Sequence, residues 1–251
     1  GQQVDEELHA VGEHGRERLA KTGYLVDEEL ATVVYLGDAL GKPILLEGPA
    51  GTGKTELAKA VAQAAGANLV RLQCYEGLDE ARALYEWNYR KQLLRIQSAQ
   101  GADASSEDWS DLHDDIFSEE FLLSRPLLTA IRQTEPTVLL IDETDKSDVE
   151  VEGLLLEVLS DFQVTIPEIG TISAAQPPRV ILTSNRTRDL HDALKRRCLY
   201  HWIDYPTLDH ATAIVRMRVP EADDRLVSQI AAAVSRLRTI DVQKPPGIAE
   251  A

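Results

Sequence analysis

Eight consecutive residues, Gly48-Pro49-Ala50-Gly51-Thr52-Gly53-Lys54-Thr55, restrict what this 251-residue chain can fold into more than any other feature. They fit the spacing G-x-x-x-x-G-K-[ST] and stand between a short apolar run, Pro43 to Glu47, and an Ala/Leu-rich segment, Lys54 to Ala65, closed by Gly66. The run reads as a buried parallel strand and the segment as a helix, the context this loop requires. Glycines let the loop curl until successive backbone N–H groups point inward at phosphate oxygens. The helix starting near Lys54 turns its positive end toward the same charge. Lys54 supplies a flexible cation for β- and γ-phosphates, and the Thr55 hydroxyl a ligand for Mg2+. ATP with Mg2+ is the expected ligand, held along residues 48 to 55.

A second constellation completes the first. Val138 to Ile141 is an apolar strand that ends on Asp142-Glu143, and Asp142 lies 87 residues beyond Thr55. That separation leaves room for a strand inserted between the two motif strands. In open α/β sheets ligands bind beyond the carboxyl ends of the strands, so the two acids should meet the phosphates there. Asp142 is expected to hold Mg2+ through its water shell, and Glu143 to orient and polarise the attacking water. Asp145 and Asp148 read as ordinary helix-start residues.

Along the rest of the chain, strands and helices alternate. Helices are expected over Val4 to Lys21 and Asp27 to Leu40, the second with Asp27 as N-cap and Gly41 past its end. Strands are expected at Asn68 to Gln73, Thr137 to Ile141, Arg179 to Ser184 and Leu199 to Asp204, giving five with the strand before the loop. Leu78 to about Gln97 reads as one long helix, Gly101 to Asp115 as an exposed acidic loop, and Phe121 to Arg132 as helical. Ser147-x-x-Glu150 has the capping-box pattern ahead of Leu154, Leu155, Val158 and Leu159. Phe162 to Ile166 and Gly170 to Ser173 alternate as a hairpin. Beyond Pro206 the pattern is purely helical. The fold class is α/β: a five-stranded parallel sheet flanked by helices over residues 1–205, then a short helical lid at 206–251. The lid reads as cut off mid-element at Lys244 to Ala251.

Composition narrows the partners. A formal charge of −16 argues against a sequence-independent grip on nucleic acid. The longest apolar stretch is a handful of residues, so no membrane insertion is expected, and the N-terminus lacks the build of a secretory signal. Cys74 and Cys198 lie far apart, without metal-ligand spacing, which reads as two reduced thiols in a cytoplasmic protein. Tyr75, Tyr85, Trp87 and Tyr89, near Arg82, Arg90 and Lys91, could stack bases. At helical spacing they read better as core packing under long cationic side chains.

Together with Val180-Ile-Leu-Thr-Ser-Asn185 and Ala193-Leu-Lys-Arg196-Arg197-Cys198, these pieces resemble the AAA+ ATPases. LLEGPAGTGKTELAKAVA, QCYEGLDEARALYEWNYRKQLL, LLEVLSDFQVTIPEIGTI and VILTSNRTRDLHDALKRRCLYHWIDYP look like the MoxR branch, and most like its CoxD-like members. The resemblance runs from about Gly23 to Pro206. It implies an ATP hydrolase that assembles as a homo-oligomeric ring, a hexamer, and remodels a client protein. A von Willebrand factor A-domain protein would be the adaptor and a metalloenzyme the client. It makes Asn185 the sensor-1 residue, able to touch the γ-phosphate and the attacking water. Arg197, with Arg196 as the alternative, becomes the arginine finger offered to a neighbouring subunit. The hairpin at 162–173 becomes an insert near the ring's central opening, and Gly23 to Val26 lies near the adenine. A sensor-2 arginine is missing from the last stretch, leaving Arg216, Arg218 and Arg225 as substitutes. A nucleotide-gated scaffold with negligible turnover and a nucleic-acid motor or loader are the competing readings.

Overall fold

The structure, a computed structural model, describes residues 12–101 and 109–239. In chain order its elements are α1 (12–20), α2 (Glu28–Leu40), β1 (Ile44–Glu47), α3 (Lys54–Ala65), β2 (Asn68–Gln73), α4 (Glu80–Ala83) and β3 (Tyr85–Trp87). There follow α5 (Tyr89–Gly101), α6 (Trp109–Ile116), β4 (Leu122–Ser124), α7 (Pro126–Arg132), β5 (Thr137–Asp142), α8 (Val149–Asp161), β6 (Gln163–Ile166) and β7 (Gly170–Ser173). The last are β8 (Arg179–Ser184), α9 (Asp192–Arg197), β9 (Leu199–Trp202), α10 (Leu208–Arg218) and α11 (Asp224–Thr239).

Five strands form one parallel sheet in the order β2-β5-β8-β1-β9. The strand inserted between the two motif strands is β8, which follows Asp142 in the chain; the 87 residues between Thr55 and Asp142 do not supply it, and their sheet strand, β2, lies at the edge. Strand alternation explains the layers, because successive side chains point to opposite faces. On one face Leu45, Leu139, Ile141, Val180 and Leu182 meet Leu127 and Leu128 of α7 and Leu155 of α8. On the other, Ile44, Leu46, Val138, Leu140 and Ile181 meet Leu30 of α2 and Leu57 and Val61 of α3. Each such side chain contributes roughly 1.5–3 kcal/mol by leaving water. All residues of β1 and β5 are buried, which fixes the position of the two loops at their carboxyl ends.

Local signals hold where the caps are explicit. The Asp27 side chain accepts the Leu30 N–H at 2.8 Å, and α2 ends at Gly41 in the left-handed region. The hairpin pairs Gln163 with Ser173 and Ile166 with Gly170, and buries Val164 and Ile166 against the first core. Beyond Pro206, α10 and α11 pack on each other. Val4, Leu8 and Val11 of the expected first helix lie outside the described residues.

Between residues 78 and 132 the sequence reading needs correction. In place of one helix from Leu78 to Gln97 there is a short α4, then β3, then α5. Strand β3 pairs antiparallel with β4, Tyr85 opposite Ser124 and Trp87 opposite Leu122. This long-range pairing overrides the local helical pattern, and Trp87 meets Phe117 edge-on at 5.2 Å. Trp87 is buried and Tyr85 half-buried, while Tyr75 and Tyr89 are exposed. The expected helix from Phe121 starts only at Pro126, because Arg125 before it is held extended. The expected loop at Gly101 to Asp115 contains α6, which buries Leu112 and Ile116; residues 102–108 are outside the described part. The capping box does not form. Ser147 Oγ donates instead to the Thr144 carbonyl at 2.7 Å, closing a 3-10 turn over Thr144–Lys146, and Asp148 takes the cap position without a side-chain bond.

Candidate nucleotide and metal site

The loop at residues 48 to 53 leaves β1 and enters α3 at the carboxyl edge of the sheet. Its first residue must be glycine. A Cβ on Gly48 would lie 1.8 Å from the Ile203 carbonyl oxygen. Two bonds tie the loop's entrance to β8: Gly48 N–H donates to the Ser184 carbonyl at 3.2 Å, and Ser184 Oγ donates to the buried Glu47 carboxylate at 2.9 Å. Gly53 takes φ +89, a left-handed conformation that glycine adopts without penalty, and α3 begins immediately after it.

Lys54 is buried, its ammonium curled back into the loop. Nζ donates to the carbonyls of Gly48 at 2.9 Å and Pro49 at 2.5 Å, and to Thr52 Oγ1 at 3.2 Å. Burial lowers its pKa to about 8, and Asp145, Asp142 and Glu143 pull it back upward. A cation held among loop oxygens beside a helix N-terminus is chemistry that takes up an anion.

Asp142 ends β5 and is 1% exposed. Thr55 Oγ1 donates to its Oδ1 at 3.0 Å and lies 3.2 Å from Oδ2. The two groups expected to hold Mg2+ therefore meet, although one is on α3 and the other on β5. They offer hydroxyl and carboxylate oxygens, the hard donors magnesium prefers, so the residues fit the ion. Two further contacts complete the carboxylate. Thr183 Oγ1 of β8 donates to Oδ1 at 2.5 Å, and Arg71 Nη2 of β2 donates to Oδ2 at 2.5 Å. Sequence reasoning missed both. The available signals were a hydroxyl directly after the apolar run Val180–Leu182 of β8, and a lone cation in β2.

Glu143 follows in the left-handed region at φ 54, ψ 49, a conformation that costs a non-glycine residue about 1–3 kcal/mol. Its N–H donates to Thr183 Oγ1 at 2.9 Å, and its carboxylate pairs with Lys146. Thr183 thus bridges both acids.

Asn185 stands just past β8, where its N–H donates to Asp145 Oδ1 at 3.2 Å. Asp145 Oδ2 accepts from Thr187 N–H at 2.9 Å and Thr187 Oγ1 at 2.7 Å. Asp145 is therefore not an ordinary helix-start residue. It is a buried anchor joining the loop after β5 to the loop after β8. The same loop is fastened further on, where the buried Glu152 accepts from Arg188 Nη1 at 2.6 Å and from His191 N–H at 2.7 Å. Asp145→Ala leaves three donors without this acceptor and should lower unfolding free energy by about 2–3 kcal/mol in urea titration. A change below about 0.5 kcal/mol would contradict the anchoring role.

Arg197 ends α9 and is exposed, with Nη1 donating to the Leu156 carbonyl at 3.3 Å and contacting Ser160 Oγ. Its bonds run to α8 rather than to the phosphate loop of its own chain. Arg196 beside it is exposed. A cleft of about 910 Å³ opens next to Thr52 and Gly53, walled by Tyr24, Val26, Ile203 and Ile214. Tyr24 Oη donates to the Gly53 carbonyl at 3.0 Å, and burial raises the phenol's pKa, keeping it a donor. The segment from Gly23 to Val26 thus lines the cleft next to the loop, and Arg218 of α10 lines it as well.

The sequence model of the ATPase family associated with various cellular activities (AAA) matches residues 44–203, which hold every strand described above. Among curated proteins, one from Staphylococcus haemolyticus is 28% identical over 211 residues, covering 81% of this chain and 71% of its own length. Another, from Staphylococcus saprophyticus, is 26% identical over 237 residues, covering 90% and 80%; both are described only as uncharacterized. Among solved structures, a candidate ATPase of Cytophaga hutchinsonii superposes with a TM-score of 0.54 at 18% identity, over 94% of this chain and 67% of that one. A point mutant of RuvB from Thermotoga maritima gives 0.50 at 22% identity, over 94% of this chain; the chain spans 60% of its length. These two superpositions reflect the shared fold.

Proposed function

This chain belongs to the AAA family of ATPases, and on that premise we propose that it is a magnesium-dependent ATP hydrolase of the MoxR type, working as a ring that remodels a client protein. The observation that carries the reading is the meeting of Thr55 Oγ1 with the Asp142 carboxylate at 3.0 Å, directly beside the Lys54 loop. A hydroxyl and a carboxylate from distant parts of the chain converge where a triphosphate's metal would lie.

In this reading, amides of the glycine loop and the Lys54 ammonium bind the β- and γ-phosphates. Thr55 and Asp142 hold magnesium, which when bound offsets phosphate charge and fixes phosphate geometry. Glu143 accepts a hydrogen bond from the attacking water and polarises it. Asn185, positioned through its N–H by Asp145, aligns the γ-phosphate and that water. Phosphoryl transfer needs mainly positioning and charge stabilisation, so these few groups suffice. Arg197 of a neighbouring subunit supplies the remaining positive charge; its exposed place on α9 supports this assignment over a role in its own loop. The adenine occupies the cleft beside Tyr24.

The MoxR assignment rests on sequence likeness in the stretches around Gly48, Cys74, Leu154 and Val180. With it come the hexamer, the hairpin β6–β7 as a loop facing the ring's opening, a von Willebrand factor A-domain adaptor and a metalloenzyme client. Residues 206–239 belong to a partial helical lid subdomain, the rest of the expected lid at 240–251 lying outside the described residues, and the protein works in the cytoplasm. The charge of −16 favours a protein client over a nucleic acid.

The test is complementation between subunits. Arg197→Ala retains the loop and loses the finger; Lys54→Ala does the reverse. Mixed with Mg·ATP, the two should regain turnover several-fold above the sum of their separate rates, and sedimentation should show assembly with nucleotide. Turnover equal to that sum, with the wild type sedimenting as a monomer, would remove the shared site.

A further inference from the structure

The contact that the proposed mechanism leaves unused is the one between Arg71 and Asp142. Arg71 lies on β2, the edge strand, in register with Leu140, so its side chain must reach up the sheet to Asp142, which pairs with Gln73. There a single nitrogen, Nη2, donates to Asp142 Oδ2 at 2.5 Å and to Gln73 Oε1 at 2.6 Å. The carboxylate is 2% exposed and the Arg71 side chain 46% exposed. One partner is fixed in the core and the other is free to swing outward.

The acceptor capacity of Asp142 makes the contact consequential. A carboxylate has about four lone-pair sites. Here Oδ1 accepts from Thr55 and Thr183, and Oδ2 lies within reach of Thr55 and accepts from Arg71. Magnesium and its waters need some of the same sites. Thr183 is buried and structural, and the Thr55 oxygen is itself expected to become a ligand. Arg71 is the group that can leave. It also carries a full positive charge, which neutralises the buried carboxylate before the metal arrives and opposes a dication placed against it.

We propose that Arg71 is a displaceable counter-ion of the metal-holding carboxylate, and that it sets how much free magnesium the site needs to fill. This rests on the reading of Thr55 and Asp142 as the magnesium site. The bound nucleotide brings enough negative charge to outweigh the guanidinium, so metal and nucleotide enter together and the nucleotide-free site stays closed to magnesium. The side chain does not touch the reacting phosphate; it acts through Asp142 and is a positioning residue.

The experiment measures the affinity of the full chain for N-methylanthraniloyl-ADP by fluorescence, in EDTA and across a series of MgCl2 concentrations. The readout is the free magnesium at which half of the metal-induced gain in affinity is reached. Arg71→Gln and Arg71→Met, each checked by thermal melting, should lower that concentration about tenfold. Arg71→Lys, which keeps a cation on the strand, should stay within about threefold of wild type. An unchanged or raised magnesium requirement in both neutral variants overturns the proposal, since Arg71 would then be a structural bracket or an aid to metal binding. A wild type that binds the probe with no magnesium dependence overturns the underlying site assignment as well. The two failures are therefore distinguishable.

Discussion

Glu143→Gln will lower ATP turnover roughly 10²–10⁴-fold while leaving nucleotide binding in place. The substitution keeps the side chain's size, its left-handed backbone and the bond from its N–H to Thr183 Oγ1 at 2.9 Å. It removes the carboxylate's capacity to polarise water. Little stability should be lost, because the Glu143 side chain is 29% exposed and its pair with Lys146 is a surface contact, worth under about 1 kcal/mol. Phosphate release and calorimetric binding of ATP, measured on the same preparation, check both halves. Equal and negligible rates in wild type and variant would instead favour a nucleotide-gated scaffold. A variant that turns over like an active wild type would move the water-activating role to another residue.

Lys54→Ala acts on the earlier step. Removing an ammonium that sits among loop oxygens should weaken Mg·ATP binding at least about 100-fold, since charge-assisted bonds to two phosphates are lost together. The fold should survive, because Ala is the strongest helix former and a buried charge is removed from the start of α3. The same group gives binding a pH dependence of definite sign. With the site empty, burial holds the Lys54 pKa at about 8. Phosphates placed beside it favour the charged form and raise that value. Below pH 8 the amine is already protonated and binding takes up no proton. Above it, binding must recruit a proton, so affinity falls as pH rises toward the bound-state pKa. Calorimetry at pH 8.5 in two buffers of different ionisation heat should detect this uptake in wild type and not in Lys54→Ala. Near-normal affinity in the variant would mean that the loop holds something other than a nucleotide.

What could be read from the sequence followed the range of the interactions. Strands β1, β5 and β8 carry the apolar runs Ile44–Leu46, Val138–Ile141 and Val180–Leu182, and the loop and its flanking strand and helix carry their signals within a few residues, so both were legible. The pairing of Thr55 with Asp142 was legible too, because a parallel α/β sheet sends both motifs to one edge. The region from Leu78 to Arg132 was not. Its β3 exists only because Leu122 to Ser124 lies alongside, and no local periodicity announces a partner that far away. Pro126 was an unused signal, since the residue before a proline resists helix. Asp145, Thr183 and Arg71 were missed for a related reason. Each looks ordinary in its own segment and acquires its role from a residue 40 to 71 positions distant. Ser147 shows the opposite error, a good local capping pattern overruled by the 3-10 turn that follows the two acids.

The most direct measurement is a crystal structure of the chain with magnesium and a slowly hydrolysed ATP analogue. The β- and γ-phosphates should lie within hydrogen-bond reach of the amides of Gly51 to Thr55, with the metal between Thr55 and Asp142. Lys54 Nζ, now bonded to the carbonyls of Gly48 and Pro49, should have turned to the phosphates. A nucleotide bound elsewhere, or a Lys54 still folded onto its own loop with the analogue present, would contradict the assignment of this site.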